Sequence, residues 1–170
     1  MTAAFLQTLE KITLLVNKDA TLVCNLNSVF SCSAVLQAWQ SSVFGFPNSI
    51  MCMAFFTIFM TVALVGATGG QVPKNMRLGI QSLALATLGF GLWFIWQSIF
   101  VISAICIFCV FCIIGLLIVN GAWLRINAND LPISNRAHKT LNRAIASGLD
   151  IFIWIVIGLA VAFAMLLRFQ

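Results

Sequence analysis

Residues 78–124, "LGIQSLALATLGFGLWFIWQSIFVISAICIFCVFCIIGLLIVNGAWL", contain no charged side chain. A helix crosses the roughly 30 Å hydrocarbon core of a bilayer with about 20 apolar residues. The run is therefore too long for one crossing and predicts two membrane helices joined as a hairpin. We place the turn of this hairpin near 99–104, "IFVISA".

The rest of the chain has the same character as this hairpin. Of its 170 residues, 62% are hydrophobic and only 8% are charged, and the mean hydropathy is +1.07. A soluble domain carries roughly a quarter charged residues, so the composition predicts an all-α integral membrane protein. We expect 1–170 to form one membrane domain with an outer loop at 19–46. The expected spans are 1–18 (partial), 47–69, 78–99, 104–123 and 150–168.

The first of these spans is the least regular. Only nine residues precede Glu10 and Lys11. The stretch lacks the basic region and small-residue cleavage site of a signal peptide. We interpret it as the outer half of a first helix that is short or truncated.

The distribution of charge predicts the orientation in the membrane. The linker that contains Lys74 and Arg77 is basic, and so is the linker 123–149, whereas residues 10–46 have no net charge. Basic loops stay in the cytosol, which places the outer loop and its cysteines outside. Because the basic residues are divided between two short linkers, they favour topology over a nucleic-acid partner.

Four of the six cysteines form two pairs at the same predicted membrane face. Cys24 and Cys32 close the polar stretch "CNLNSVFSC", and Cys106 and Cys109 form "CIFC" directly after the predicted turn. Positions i and i+3 of a helix are neighbours, and a helix N-terminus stabilises a thiolate. We interpret the loop pair as a shuttle in flexible, solvated backbone and "CIFC" as the relay beneath it.

Other interpretations of these thiols stay open at this point. Cysteine is a small apolar residue that is often buried for packing, which is how we interpret Cys52 and Cys112. The spacing "CIFCVFC" is similar to that of cluster ligands, but no fourth ligand is near, and His138 falls in a cytosolic linker. We therefore expect no metal. A soft-metal-ion transporter and a structural subunit with incidental cysteines are the alternatives to a redox enzyme.

The order of "CNLNSVFSCS", "FGFPNS" and "CIFC" resembles the vitamin K epoxide reductase family, especially its bacterial homologues that support disulfide bond formation. The resemblance covers roughly residues 9–123. Dsb-type quinone reductases have the opposite order, with C-x-x-C in the first outer loop. The resemblance implies a four-helix bundle around a quinone pocket, with a fifth transmembrane helix beside it.

The resemblance also implies a role for individual residues. Cys24 meets the partner protein, Cys32 exchanges with Cys106, and Cys109 passes electrons to ubiquinone or menaquinone. The quinone is bound by Asn48, which hydrogen-bonds its oxygen, by Phe44, which caps the pocket together with Gly45, and by Ile113, which replaces the tyrosine of vertebrate members. Side chains available to line the pocket are Phe55, Phe56, Trp93, Phe94 and Trp96.

The implied partner is a thioredoxin-like protein. Many bacterial members carry a thioredoxin-like domain after the fifth span, whereas this sequence ends at Gln170. We therefore expect a separate extracytoplasmic thioredoxin-like (Dsb-type) partner. The expected location is the bacterial cytoplasmic membrane, with the active site on the periplasmic face.

Overall fold

The computed structural model describes residues 1–18, 20–25 and 29–169, and this part of the chain is folded mainly into helices. A 3₁₀ turn lies at Trp39–Ser42 and a π-helical turn at Ser98–Ile102. The helices are α1 (Thr2–Val16), α2 (Cys32–Gln37), α3 (Asn48–Ala67), α4 (Lys74–Gln97), α5 (Ile107–Asn127), α6 (Asn135–Ala146) and α7 (Leu149–Phe169).

Within the described residues, four helical segments are long and apolar enough to cross a membrane: Asn48–Ala67, Lys74–Ile102, Ile107–Asn127 and Leu149–Phe169. Helix α1 is shorter and packs against α3 and α5, while α4 packs along α5. Helices α1, α3, α4 and α5 therefore form the bundle core, and α7 packs against α5 from outside. The predicted all-α membrane fold is confirmed.

The turn of the hairpin lies where the sequence predicts it. Helix α4 continues through the π-helical turn, and Ser103 then adopts a left-handed conformation with φ of 56°. This conformation is costly for a residue other than glycine. Two hydrogen bonds across the turn stabilise it, one from the Ser98 hydroxyl to the Ala104 carbonyl and one from the Ala104 N–H to the Ser98 carbonyl. The turn brings Cys106 to the N-cap of α5.

Helices α4 and α5 approach closely because small and polar residues lie between them. A Cβ atom on Gly91 would lie 2.6 Å from Cδ1 of Ile113. A buried amide also links the two helices. Asn120 Nδ2 on α5 donates to the carbonyls of Ala84 on α4 (3.1 Å) and Leu116 on α5 (2.8 Å). Small residues and interhelical hydrogen bonds hold membrane helices together where no hydrophobic driving force acts between them.

The basic linkers meet at the end of the bundle opposite the cysteines. The guanidinium of Arg125 contacts Asp150 with Nε 2.5 Å from Oδ2, and Arg77 pairs with Asp130. The linker 123–149 also holds a helix, α6, and is not an open loop. His138 lies in α6, and its Nδ1 is 3.0 Å from the Ala128 carbonyl oxygen.

Candidate redox site

Three cysteine sulfurs lie together at the end of the bundle core where α5 begins. Cys24 and Cys32 are joined by a disulfide with their Cα atoms 5.7 Å apart. The Sγ atom of Cys106 is 3.2 Å from Sγ of Cys32. Cys106 and Cys109 are free thiols in this structure. A free sulfur at this distance from a disulfide sulfur is placed for thiol–disulfide exchange.

The backbone around residue 30 fixes this approach. The Ile105 N–H donates to the Val29 carbonyl (2.9 Å), and Phe30 pairs with Ile105 in a short parallel bridge. Cys32 is the first residue of α2, whose N-cap Ser31 accepts a hydrogen bond from a backbone N–H of the first turn. The segment before Cys32 is therefore paired to the segment before Cys106.

The position of the loop pair corrects one prediction. We expected both thiols in a solvated loop, but Cys24 is 3% exposed and Cys32 is not exposed. The physical reason is that Cys32 opens an apolar helix whose Val35 and Leu36 are buried in the core. The centre of "CNLNSVFSC", residues 26–28, lies outside the described residues, so the predicted flexibility of that part stays a prediction.

A buried lysine holds α2 against the first helix. The Lys11 ammonium donates to the Leu36 carbonyl and to Oγ of Ser41 (2.9 Å). The hydroxyl of Ser41 also donates to the Leu36 carbonyl (2.7 Å). A buried charge is tolerated when it is hydrogen-bonded, and here it joins α1 to the helix that carries Cys32.

The carboxyl group of Glu10, next to this lysine in the sequence, faces the disulfide. Glu10 Oε2 is 2.5 Å from Cys24 Sγ, and Glu10 Oε1 accepts the Val23 N–H at 3.1 Å. Donor atoms of Glu10, Cys24 and Cys32 lie within 4.8 Å of one another, a grouping that a metal ion could use. Metals bind cysteine as thiolate, and the disulfide provides none.

The "CIFC" motif spans the start of α5 as predicted. Cys106 precedes the membrane-spanning helix, and the Cys109 N–H donates to its carbonyl at 3.0 Å. The hydrogen bond from the Cys109 side chain lowers the pKa of the Cys106 thiol, against the opposing effect of burial. A lowered pKa raises the thiolate fraction of the sulfur that faces Cys32.

Gln7 is a site residue that the sequence did not identify. Its Nε2 donates to Sγ of Cys109 at 3.3 Å, and the side chain is buried. The signal was present in the long polar side chains Gln7, Glu10 and Lys11 of a mostly apolar helix. Residues three or four apart share one helix face, and these three face the cysteine end of the core.

A cavity of about 280 Å³ lies next to Cys109 between the helices of the core. Its wall includes Cys109 and all three residues predicted to bind quinone, namely Asn48, Phe44 and Ile113. Phe55 and Phe94 also line it. Of the other aromatic candidates, Phe56 and Trp93 pack elsewhere on the core, and Trp96 is exposed and stacks on Phe100 with ring centroids 4.2 Å apart.

The cavity wall is mostly apolar and includes a few polar side chains. Asn48 Nδ2 donates to the Gln40 carbonyl at 2.6 Å, while Asn48 Oδ1 is buried without a hydrogen-bond partner among the described residues. A buried acceptor without a partner costs about 1–3 kcal/mol. An apolar ring that carries polar oxygens, such as a quinone or its reduced form, fits these walls and this amide.

Two further cysteines line the same cavity. Cys52 on α3 and Cys112 on α5 are free thiols that line this cavity. The sequence predicts packing residues at both positions. Cys112 lies one turn beyond Cys109 on α5, away from the Cys24–Cys32 disulfide.

No curated protein and no solved structure matches the chain. The model of the vitamin K epoxide reductase family matches residues 1–121, which include both cysteine pairs and the residues of the cavity wall. The chain therefore belongs to the vitamin K epoxide reductase family, whose members are membrane thiol–disulfide oxidoreductases.

Proposed function

We propose that this protein oxidises a dithiol protein outside the cytosol and passes the electrons to a quinone in the membrane. In this relay the partner reduces the Cys24–Cys32 disulfide, and Cys32 exchanges with Cys106. Cys106 and Cys109 then close a disulfide as electrons leave for the quinone. The observation that supports it best is the 3.2 Å separation of Cys32 Sγ and Cys106 Sγ.

The arrangement of bonds in the structure corresponds to one stage of this relay. The Cys24–Cys32 pair is oxidised and the Cys106–Cys109 pair is reduced. This is the state expected after electrons have moved inward and before they reach the acceptor. Exchange between the two cysteine pairs needs little motion, because Cys32 Sγ and Cys106 Sγ are already 3.2 Å apart.

Cys109 is the cysteine proposed to face the acceptor. It lies in the cavity wall, and the Gln7 amide donates to its sulfur. A hydrogen bond to a thiolate favours the charged form over the thiol. A bound quinone supplies a two-electron, two-proton acceptor, which matches the two electrons released when a dithiol closes to a disulfide.

Three residues are proposed to hold the quinone ring. Asn48 has a second amide hydrogen beyond the one given to Gln40, and its Oδ1 is free to accept. It can therefore donate to a quinone oxygen and accept from a quinol hydroxyl. Phe44 lies at the rim of the cavity, half exposed, and Ile113 forms part of its apolar wall.

The proposed partner is a separate thioredoxin-like protein, and the proposed location is a bacterial cytoplasmic membrane with the cysteines on the periplasmic side. The placement of charge supports this orientation. The basic residues of both linkers lie at one end of the bundle and the paired cysteines at the other. Basic ends stay in the cytosol, and disulfides persist on the opposite side.

The test is quinone reduction by the purified protein in lipid, with dithiothreitol or reduced thioredoxin as donor and ubiquinone or menaquinone as acceptor. Wild type should turn over and Cys109→Ala should not. Cys24→Ala should keep turnover with dithiothreitol and lose it with reduced thioredoxin. Absence of turnover by wild type with both donors and both quinones would reject the proposal.

A soft-metal-ion transporter or binding protein is the second candidate, and the grouping of Glu10, Cys24 and Cys32 favours it. Reduction of the disulfide would give two thiolates and a carboxylate around one point. Tight one-to-one binding of Zn²⁺ or Cu⁺ by the reduced protein, lost in Cys24→Ala, would support this candidate. The relay predicts weak binding that does not survive reoxidation.

A further inference from the structure

We propose that Glu10 is the acid–base group of Cys24, storing on its carboxyl the proton that Cys24 gives up whenever that sulfur enters a disulfide. The inference rests on the proposed relay and adds a proton path to it. No motif of the sequence assigned a role to Glu10, and it is one of only four acidic residues in the chain.

The carboxyl group of Glu10 is in direct contact with Cys24. Glu10 Oε2 lies 2.5 Å from Cys24 Sγ, and the same sulfur is bonded to Cys32. A disulfide sulfur has no hydrogen to donate and its lone pairs repel a carboxylate oxygen, so this close approach favours the protonated form of Glu10. When Cys24 is reduced, its thiol supplies the hydrogen and Glu10 is the acceptor. One proton thus belongs to the pair in both redox states.

The carboxyl is held at this position by its surroundings. The Val23 N–H donates to Oε1 at 3.1 Å, which directs Oε2 at the sulfur. The neighbouring Lys11 ammonium is turned away, because it is bonded to the Leu36 carbonyl and to Ser41. The other titratable groups facing Glu10 are the thiol of Cys106 and, once the disulfide is reduced, the thiols of Cys24 and Cys32.

The outer step uses the proton of Glu10. A donor thiolate first attacks Cys24 and forms a mixed disulfide, while the Cys24–Cys32 bond breaks and its electron pair goes to Cys32 Sγ. Cys32 then attacks Cys106 in the Cys106–Cys109 disulfide, so the Cys32–Cys106 bond forms and the electron pair of the broken bond goes to Cys109 Sγ. The second thiolate of the donor next attacks the donor's own sulfur in the mixed disulfide. The donor closes its disulfide, the bond to Cys24 breaks, and the electron pair stays on Cys24 Sγ. The proton of Glu10 moves to that sulfur, leaving a thiol and a carboxylate.

The inner step returns the proton. Cys24 attacks Cys32 in the Cys32–Cys106 disulfide, and its proton passes to Oε2 of Glu10. The Cys24–Cys32 bond forms, the Cys32–Cys106 bond breaks, and the electron pair leaves on Cys106 Sγ. The products are the bond arrangement that the structure contains, with a protonated Glu10 beside the new disulfide.

The direct test is redox-difference infrared spectroscopy of the purified protein, titrated with dithiothreitol. On reduction, wild type should lose a carboxylic acid C=O band and gain carboxylate bands, and Glu10→Gln should show neither change. Asp130→Asn is the matched control, because Asp130 pairs with Arg77 at the other end of the bundle. A Glu10 carboxyl that stays ionised in both states would overturn the proposal.

A kinetic test separates acid–base chemistry from a structural role. Glu10→Gln should slow turnover driven by reduced thioredoxin about 100-fold, the lower end for general acid–base catalysis, while Glu10→Asp should recover part of the rate. The defect should shrink as pH rises through the ordinary thiol range, since Cys24 then ionises unaided. A defect that is equal at every pH would contradict the proposal.

A double variant tests whether the effect of Glu10→Gln arises from misfolding. In the Cys24→Ala background, turnover with dithiothreitol should not change when Glu10→Gln is added, because the two residues act as one unit. A further loss there would show that Glu10 is structural. If wild type turns over and only these Glu10 results fail, the relay stands and the proton path does not. Failure of wild type rejects the relay first.

Discussion

Gln7 Nε2 donates a hydrogen bond to Cys109 Sγ across 3.3 Å, joining helices whose residues are 102 positions apart. The amide is buried in the cavity wall. The first helix therefore contributes directly to the environment of the proposed electron-donating sulfur.

Gln7→Leu should slow quinone reduction while leaving the protein folded. A hydrogen bond to a charged group is worth about 1.5–3 kcal/mol, which corresponds to roughly a 10- to 100-fold lower rate if the bond acts on the thiolate. Stopped-flow measurement of quinone reduction by prereduced protein would report this step alone. Thr13→Val on the exposed face of α1 is the control. An unchanged rate in Gln7→Leu would show that the thiolate does not depend on the amide.

Asn48→Ala should raise the KM for quinone more than it lowers kcat. The variant removes the amide that faces the cavity and also the bond to the Gln40 carbonyl. Each lost hydrogen bond is worth about 0.5–1.5 kcal/mol, or roughly 2- to 12-fold. Steady-state kinetics with ubiquinone would measure both constants. An equal KM in variant and wild type would remove Asn48 from the quinone site.

The sequence predicts more of the fold than of the site. The spans followed from long uncharged runs, because the bilayer sets the length of a helix, and "CIFC" fell at the helix start as expected. The burial of Cys24 and Cys32 was not predictable, since it depends on pairing between residues 29–30 and Ile105, far apart in sequence. The contacts of Gln7 and Glu10 were not predicted for the same reason, because each joins α1 to a residue that is distant in the sequence.

Lys11→Met should weaken the exchange between the two cysteine pairs. The ammonium donates to the Leu36 carbonyl and to Ser41, so its loss removes two buried hydrogen bonds and loosens α2, and only the Ser41 hydroxyl still donates to the Leu36 carbonyl. We expect unfolding to become easier by about 1–3 kcal/mol and the Cys32–Cys106 exchange to slow. Thermal unfolding and trapping of the Cys32–Cys106 disulfide would measure both. Lys18→Met, which alters an exposed lysine, should change neither.

Cys52→Ala and Cys112→Ala should keep turnover within about twofold of wild type. The two free thiols line the cavity wall. The proposed path of electrons from Cys24 to Cys109 passes through neither thiol, so each variant changes only the packing. Removal of one sulfur atom from the cavity wall should lower the stability only slightly. Quinone reduction by each variant is the measurement. A loss comparable to that of Cys109→Ala would give this pair a place in the relay.

Gly91→Ala should impair quinone binding through Ile113. The added Cβ would lie 2.6 Å from Ile113 Cδ1, so the isoleucine must move, and it borders the cavity. Overpacking of this kind costs about 1–3 kcal/mol, here expected as a higher KM for quinone and a lower melting temperature. Gly89→Ala is the matched control, since a Cβ there meets nothing within 4 Å. Ile113→Val removes the clashing methyl group, so the double variant Gly91→Ala with Ile113→Val should recover most of the loss. If the double variant is as impaired as Gly91→Ala, the damage comes from the helix backbone rather than from the cavity wall.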